Sequence, residues 1–346
     1  MKTKILPGLI AGLGIVILIT GCTGNKPASK PAEATQPEVI AQPVVGSETN
    51  LLLKDLRTNG NYVNTKDYPS LIKASIVHEN LGKNILVVDL RSPQSYSAGH
   101  IKGAVNRKFE SLPEYFQSGI KPFKYDKIIM VCDDGQLSAY TTCLLRLMGY
   151  GNVYAMRWGM SAWNRSFAAE NWLKGVSGKY EAKLDTVSAP KPVAGAMPEL
   201  GTSKSSGEEI GNARFVRLFS EKPEDIFVTA DQLFTDPGKY FIINLERKDK
   251  YADGHIPGAV RYKPEATLSY IEEMATIPAG KPVVVYCSTG HSSAFATAYL
   301  RLFGYNAHTL KYGNNSFMFD KMGKERVSLS WLPFQEEDIN NFETVK

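Results

Sequence analysis

Short, unbroken apolar runs recur along this chain, and they come in matched sets. Ile85-Leu86-Val87-Val88 has a counterpart in Tyr240-Phe241-Ile242-Ile243, and Ile128-Ile129-Met130-Val131 has one in Val283-Val284-Val285-Tyr286. Four apolar residues in a row, without polar alternation, predict a strand buried on both faces, as in the middle of a parallel sheet. After the second run of each set the period changes. Ala139, Leu144, Leu145 and Met148, and later Ala294, Ala298 and Leu302, are spaced for one face of a helix. Ser138-Ala139 and Ser293-Ala294 are the expected openings of those helices. Strands alternating with helices predict an α/β fold, with small parallel sheets flanked by helices.

The matched sets belong to one long repeat. Asp89-Leu90-Arg91 followed by Tyr96 to Val105 returns as Asn244-Leu245-Glu246 followed by Tyr251 to Val260. Cys287 stands 155 positions after Cys132, as His255 does after His100 and Tyr305 after Tyr150. A period this long is too large for a solenoid and fits a duplicated domain. The expected domains are 50–184 and 213–346, each large enough to bury its own core. Between them, 185–212 is rich in Pro, Ser and Gly and reads as a linker joining two separately folding halves.

The amino-terminal end has a different character. Lys2 and Lys4 precede a mostly apolar run from Ile5 to Ile19, and Ile19-Thr20-Gly21-Cys22 places small residues before a cysteine. This resembles a bacterial lipoprotein signal at 1–21, with Cys22 as the lipidated mature end. The apolar run is short for a membrane span and contains Gly and Pro, which weakens the alternative of a transmembrane anchor. Residues 22–49 are dominated by Pro, Ala, Glu, Gln and Val and read as a disordered tether. The resemblance implies a protein held by lipid outside the cytoplasm, on the outer membrane facing the periplasm where the cell has two membranes. The formal charge is +5, from 40 basic and 35 acidic residues, with no concentrated basic stripe. That distribution argues against nucleic acid as a partner.

With Cys22 assigned to lipid, Cys132, Cys143 and Cys287 cannot form a paired disulfide framework. Cys143 falls on the apolar face of its helix and reads as a small core residue. Cys132 and Cys287 occupy equivalent places after a buried strand, and each has a glycine three residues on. Strand, tight loop and helix start gather free backbone N–H groups and the positive helix end around a sulfur, which predicts a lowered thiol pKa in both copies.

At this point the chain resembles the rhodanese-like sulfurtransferases, in tandem. Copy one carries the resemblance at Asp89, Arg91, Tyr96, Gly99 to Ala104, Cys132, Gly135, Leu145, Gly149, Tyr150, Gly159 and Trp163. Copy two carries it at Tyr251, Gly254 to Ala259, Cys287, Gly290, Ser293, Gly304, Tyr305 and Gly313, with Phe317 in the Trp position. It implies two rhodanese-like domains and a cysteine that accepts sulfane sulfur as a persulfide. The substrates implied are a small sulfur-containing anion and a thiol or cyanide acceptor, with no cofactor. Phosphatases of related fold need an Arg six residues after the cysteine to hold phosphate. Ser138 and Ser293 stand there instead, which disfavours phosphoryl transfer.

The two candidate loops differ. Copy one reads Asp133, Asp134, Gly135, Gln136, Leu137 and Ser138; its two carboxylates should push the Cys132 thiol up and repel an anion. Copy two reads Ser288, Thr289, Gly290, His291, Ser292 and Ser293, all neutral or donors, which favours Cys287 as the working nucleophile. His291 is a candidate imidazolium beside the thiolate. Copy two departs from the family at Asn244 and Glu246, and Glu246 is harmless there if Arg247 or Lys248 neutralises it. His100 and His255 read as groups that fix a turn. The spacing of His and Cys offers no zinc site. The leading expectation is a membrane-tethered sulfurtransferase. The alternative is a non-catalytic lipoprotein that docks a redox-protein partner or carries a persulfide within a redox or chalcogen-oxyanion-handling assembly.

Overall fold

The computed structural model describes residues 44–264 and 271–346. The signal at 1–21, Cys22 and most of the tether lie outside the described residues. Copy one is a five-stranded sheet of β1 (Leu71–Ile72), β2 (Ile85–Asp89), β3 (Val105–Asn106), β4 (Lys127–Val131) and β5 (Val153–Met156), in the order β1-β5-β4-β2-β3. Copy two repeats it with β6 (Phe227–Val228), β7 (Phe241–Asn244), β8 (Val260–Arg261), β9 (Val283–Tyr286) and β10 (Ala307–Leu310), in the order β6-β10-β9-β7-β8. Every pairing is parallel. The apolar runs thus form the inner strands β2, β4, β7 and β9. In each sheet the chain moves outward in opposite directions from its centre, and the cysteine follows the carboxyl end of the middle strand. Open parallel sheets place ligands in that crevice.

Four helices matter to the site: α1 (Ser47–Thr58), α2 (Gln136–Leu147), α3 (Gly207–Phe219) and α4 (His291–Leu302). α2 and α4 start two residues earlier than the expected Ser138 and Ser293. Gly135 and Gly290 precede them at φ +87° and +76°, a left-handed turn that sends the chain from strand straight into helix. The residue directly before each helix is a glycine, with no side chain to cap it.

Cores of the two copies are fused. α2 packs on α4 at the centre of the molecule, and α1 packs on α3. One apolar cluster runs through both halves, with Tyr140 and Leu144 from copy one and Phe295 and Phe303 from copy two. Phe109 of copy one lies 4.9 Å from Phe219 of copy two. Separating the halves would expose these side chains at roughly 1.5–3 kcal/mol for each large one.

The segment 185–212, expected as a linker, runs as a strap along copy two. Asp185 exchanges backbone bonds of 2.8 and 2.9 Å with His255, Met197 and Leu200 are buried, and α3 begins at Gly207. Residues 44–49, expected in the tether, are ordered: Val44 accepts a 3.1 Å bond from the Met197 N–H, and α1 starts at Ser47. The carboxyl-terminal residues cross back to copy one. Phe342 N–H donates to Trp163 O at 2.8 Å, and Val345 pairs with His100. Proline and serine content marked flexibility where main-chain hydrogen bonds to the neighbouring surface supply order.

Candidate functional site

Cys132 lies just beyond β4, almost fully buried. Its Sγ accepts from the backbone N–H groups of Gly135 (3.2 Å) and Ser138 (3.3 Å), so the loop does gather donors around the sulfur. The thiol also lies 3.6 Å from the Asp134 carboxylate and 3.6 Å from Ser138 Oγ. Asp134 has a structural task, since its Oδ1 accepts the Gln136 N–H at 2.9 Å at the start of α2. Lys311, from copy two, stands 3.9 Å from its other oxygen. Burial pushes the Cys132 thiol up, Asp134 pushes it further, and the Ser138 donors pull it down by less. Asp133 adds a smaller push from a position where its backbone oxygen holds Ser161.

Cys287 has a different outlook. It lines a cavity of about 220 Å³ with Ser288, Thr289, Ser292, Glu246, Lys250 and Tyr68. Burial pushes this thiol up as well, with the Glu246 carboxylate second, against lowering by the N–H groups of Ser293 and Thr289. The expectation of lowered thiol pKa values is therefore overturned in both copies, because desolvation outweighs the N–H groups of the loop. Glu246 is buried and is matched by Lys250 at 3.4 Å, four residues on, whereas Arg247 turns outward to Asp249. The neutralising cation is thus Lys250 and not Arg247 or Lys248. Burial raises the Glu246 carboxyl, and Lys250 opposes that shift. Ser288 donates its hydroxyl to Glu246 at 2.7 Å, and Ser293 Oγ donates to Gly290 O at 3.0 Å.

His291 does not serve as an imidazolium beside Cys287. It is fully buried at the first position of α4 and reaches across to copy one. The Trp158 N–H donates to its Nε2 at 3.1 Å, and Nδ1 faces Thr289 Oγ1 at 2.9 Å. Burial, helped by the charge of Arg157, pulls its pKa down to about 3, so the ring is neutral. Gln136 does the same in reverse: its Oε1 accepts the Tyr312 N–H at 2.7 Å and its Nε2 donates to Leu310 O at 3.1 Å. Trp158 and Tyr312 sit at φ +64° and +61°, a conformation that side chains resist. Each cysteine loop thus pins a strained turn of the other copy. The glycines after those turns, Gly159 and Gly313, lie against the carbonyls of Cys132 and Cys287 so closely that a Cβ would collide.

The remaining expected residues fall into place around this frame. Asp89 and Arg91 form a buried pair at 2.7 Å, and Arg91 also donates to Gly99 O at 2.8 Å, which fixes the turn before β3. In copy two Asn244 Oδ1 accepts the Glu246 N–H at 2.9 Å, as Asp89 Oδ1 accepts that of Arg91 at 3.0 Å. His100 and His255 stack on Tyr96 and Tyr251 at 3.8 and 3.7 Å and bond to their carbonyls. Leu137 is half-buried, packed on the shared core. Cys143 is buried in that core, and the three described cysteines are free thiols. Among the described residues no group of His, Cys, Asp and Glu is arranged to hold a metal, and no helix is long and apolar enough to cross a membrane.

Sequence reasoning missed Tyr68, Pro69, Lys250, Pro264 and Leu332 of the cavity wall. Lys250 carried a signal, four residues after Glu246. Tyr68 and Leu332 carried none, because both lie outside the repeated stretch.

Comparison with known proteins agrees with this architecture. The family described as rhodanese-like domain matches twice, at residues 73–166 and 229–319, together more than half of the chain. A tRNA uridine(34) hydroxylase of Teredinibacter turnerae is 29% identical over 126 residues, covering 36% of this chain and 35% of its own length. The enzyme of the same name from Rickettsia africae is also 29% identical over 126 residues, covering 36% of this chain and 45% of that one. The chain thus spans less than half the length of these curated relatives. A crystal structure of a 3-mercaptopyruvate sulfotransferase from Escherichia coli aligns over 71% of this chain and 98% of its own, at 19% identity and a TM-score of 0.25.

Proposed function

This chain belongs to the rhodanese-like domain family, and from that premise we propose that it is a sulfurtransferase working through a persulfide on Cys287. The observation that carries the reading is the cavity of about 220 Å³ that reaches Cys287. Its volume is on the order of seven waters, enough for a small sulfur anion. The Cys287 thiolate attacks the outer sulfur of thiosulfate or a similar donor. The Sγ–S bond forms as the donor's S–S bond breaks, and the electron pair leaves with sulfite. A thiol or cyanide then attacks the terminal sulfur, takes it, and returns the thiolate. The N–H groups of Ser293 and Thr289 and the Lys250 ammonium favour the anionic forms.

Carboxylates near both sulfurs favour a second reading, in which the protein carries a persulfide without rapid turnover or docks a redox partner. Thiosulfate and cyanide offered to the mature chain separate the two. Steady thiocyanate production supports the transferase, and a single equivalent per chain supports the carrier.

The site is further proposed to be tethered outside the cytoplasm by lipid on Cys22, on the strength of the basic start, apolar run and small residues before that cysteine. Cys22→Ser should leave the precursor uncleaved and move it out of the wild-type membrane fraction. Unchanged processing and fractionation would remove the lipid anchor from the account.

A further inference from the structure

We propose that Tyr68, supplied by copy one, is the hydrogen-bond donor to the transferred sulfur at Cys287, so that the second copy's site is incomplete without the first. The proposal deepens the sulfurtransferase reading and rests on it. Tyr68 and Pro69 line the same cavity as Cys287, although they precede β1 of the other sheet. The Tyr68 ring is held edge-on between Tyr62 at 5.6 Å and Phe295 of α4 at 5.7 Å, so its position is fixed by packing from both copies. Its hydroxyl has no hydrogen-bond partner among the described residues. Tyr62 donates to Ser70, Tyr251 to Ala259 O and Tyr305 to Met274 O, while the unpartnered Tyr140 hydroxyl is sealed in the shared core and does not line the cavity. A tyrosine packed by its ring with its hydroxyl free is suited to meet a ligand at that end.

Several other side chains around Cys287 are already committed. Ser288 gives its hydroxyl to Glu246, Ser293 gives its own to Gly290 O, and Lys250 is matched to Glu246. Tyr68 and Ser292 keep uncommitted hydroxyls in the cavity wall, and Tyr68 is supplied by the other copy. When Cys287 takes the sulfane sulfur, the terminal sulfur projects into the cavity as an anion. The phenol then donates a hydrogen bond to it without giving up its proton. Burial holds the Tyr68 phenol well above its ordinary range, and Cys143 from α2, Tyr62, Cys287 and Tyr299 from α4 are its electrostatic neighbours. Glu246, Arg247 and Lys250 are the charged residues of the same cavity wall. In that setting the phenol stays protonated and remains a donor.

Tyr68→Phe keeps the ring and removes only the hydroxyl. In the mature chain it should cut kcat for thiosulfate and cyanide about tenfold, with KM changed less than about threefold, since the donor acts on charge that develops during transfer. The pH profile for alkylation of the Cys287 persulfide should move up by about one unit, because the hydrogen bond to its terminal sulfur is lost. A packing role alone would leave both unchanged in the Phe variant and appear only in Tyr68→Leu. Wild-type kcat and an unmoved alkylation profile in Tyr68→Phe would overturn the proposal. If wild type makes no thiocyanate, the sulfurtransferase reading fails, and the alkylation profile of a Cys287 persulfide formed with polysulfide still decides whether Tyr68 serves its terminal sulfur.

Discussion

The loops after Cys132 and Cys287 solve one structural problem with different chemistry. Each must cap the start of its helix from two residues before it. Asp134 does so with a carboxylate on the Gln136 N–H, and Thr289 does so with a hydroxyl facing the His291 N–H at 3.4 Å. The carboxylate lies 3.6 Å from its cysteine and brings a full negative charge. The hydroxyl brings none. Copy one therefore has a capped, braced loop with a carboxylate beside its sulfur. Copy two has the same brace and a cavity in front of its sulfur. The duplication kept the frame in both halves, and each half braces the other, copy one through Gln136 on Leu310 and Tyr312 and copy two through His291 on Trp158. An acidic residue is not confined to copy one, since Glu246 is among the causes that raise Cys287, but there Lys250 lies against it.

The largest expected effect breaks this comparison directly. Cys287→Ser should lower sulfurtransferase turnover at least about a hundredfold, while Cys132→Ser stays within roughly threefold of wild type. Thiocyanate production by the two variants checks it, and equal losses would mean that the copies share the work.

Next in size is the cross-copy brace at His291. Its pKa is about 3 in the folded chain against an ordinary 6.5, so the unfolded chain binds the proton first. Stability from this residue is complete above pH 6.5 and is lost as pH falls toward 3, at about 1.4 kcal/mol per pH unit. His291→Gln installs the side chain that copy one already uses at Gln136, with a donor and an acceptor but no titration. Urea unfolding at pH 7 and pH 5 should show the wild type losing about 2 kcal/mol more than His291→Gln over that interval. Parallel losses would place the neutral imidazole elsewhere in the account.

The smallest effect concerns the charge beside Cys132. Asp134→Asn keeps an acceptor for the Gln136 N–H and removes the negative charge, so alkylation of Cys132 should rise about tenfold, one pKa unit. Alkylation followed by peptide mapping reads the result. An unchanged rate would mean that burial alone silences Cys132.

Much of this was legible in the chain itself. The inner strands β2, β4, β7 and β9 followed from apolar runs, because a strand buried on both faces leaves no choice of residue type. The cysteine loops followed from the repeat, and the charge contrast from Asp133 and Asp134 against Ser288 and Thr289. Relations across the two copies were not legible. His291 reads as a loop cation in sequence, and only its contact with Trp158 shows that it is a buried acceptor. The strap at 185–212 has a flexible composition and draws its order from backbone pairing with copy two. Tyr68 stands outside both motifs, so nothing local tied it to Cys287.

Persulfide mapping tests the central claim most directly. The purified protein is treated with thiosulfate at neutral pH, the persulfide is trapped with an alkylating reagent, and its position is read by mass spectrometry. The proposed assignment of the working sulfur predicts the added sulfur on Cys287, with Cys132 unmodified. A persulfide on Cys132 with Cys287 unmodified would contradict it.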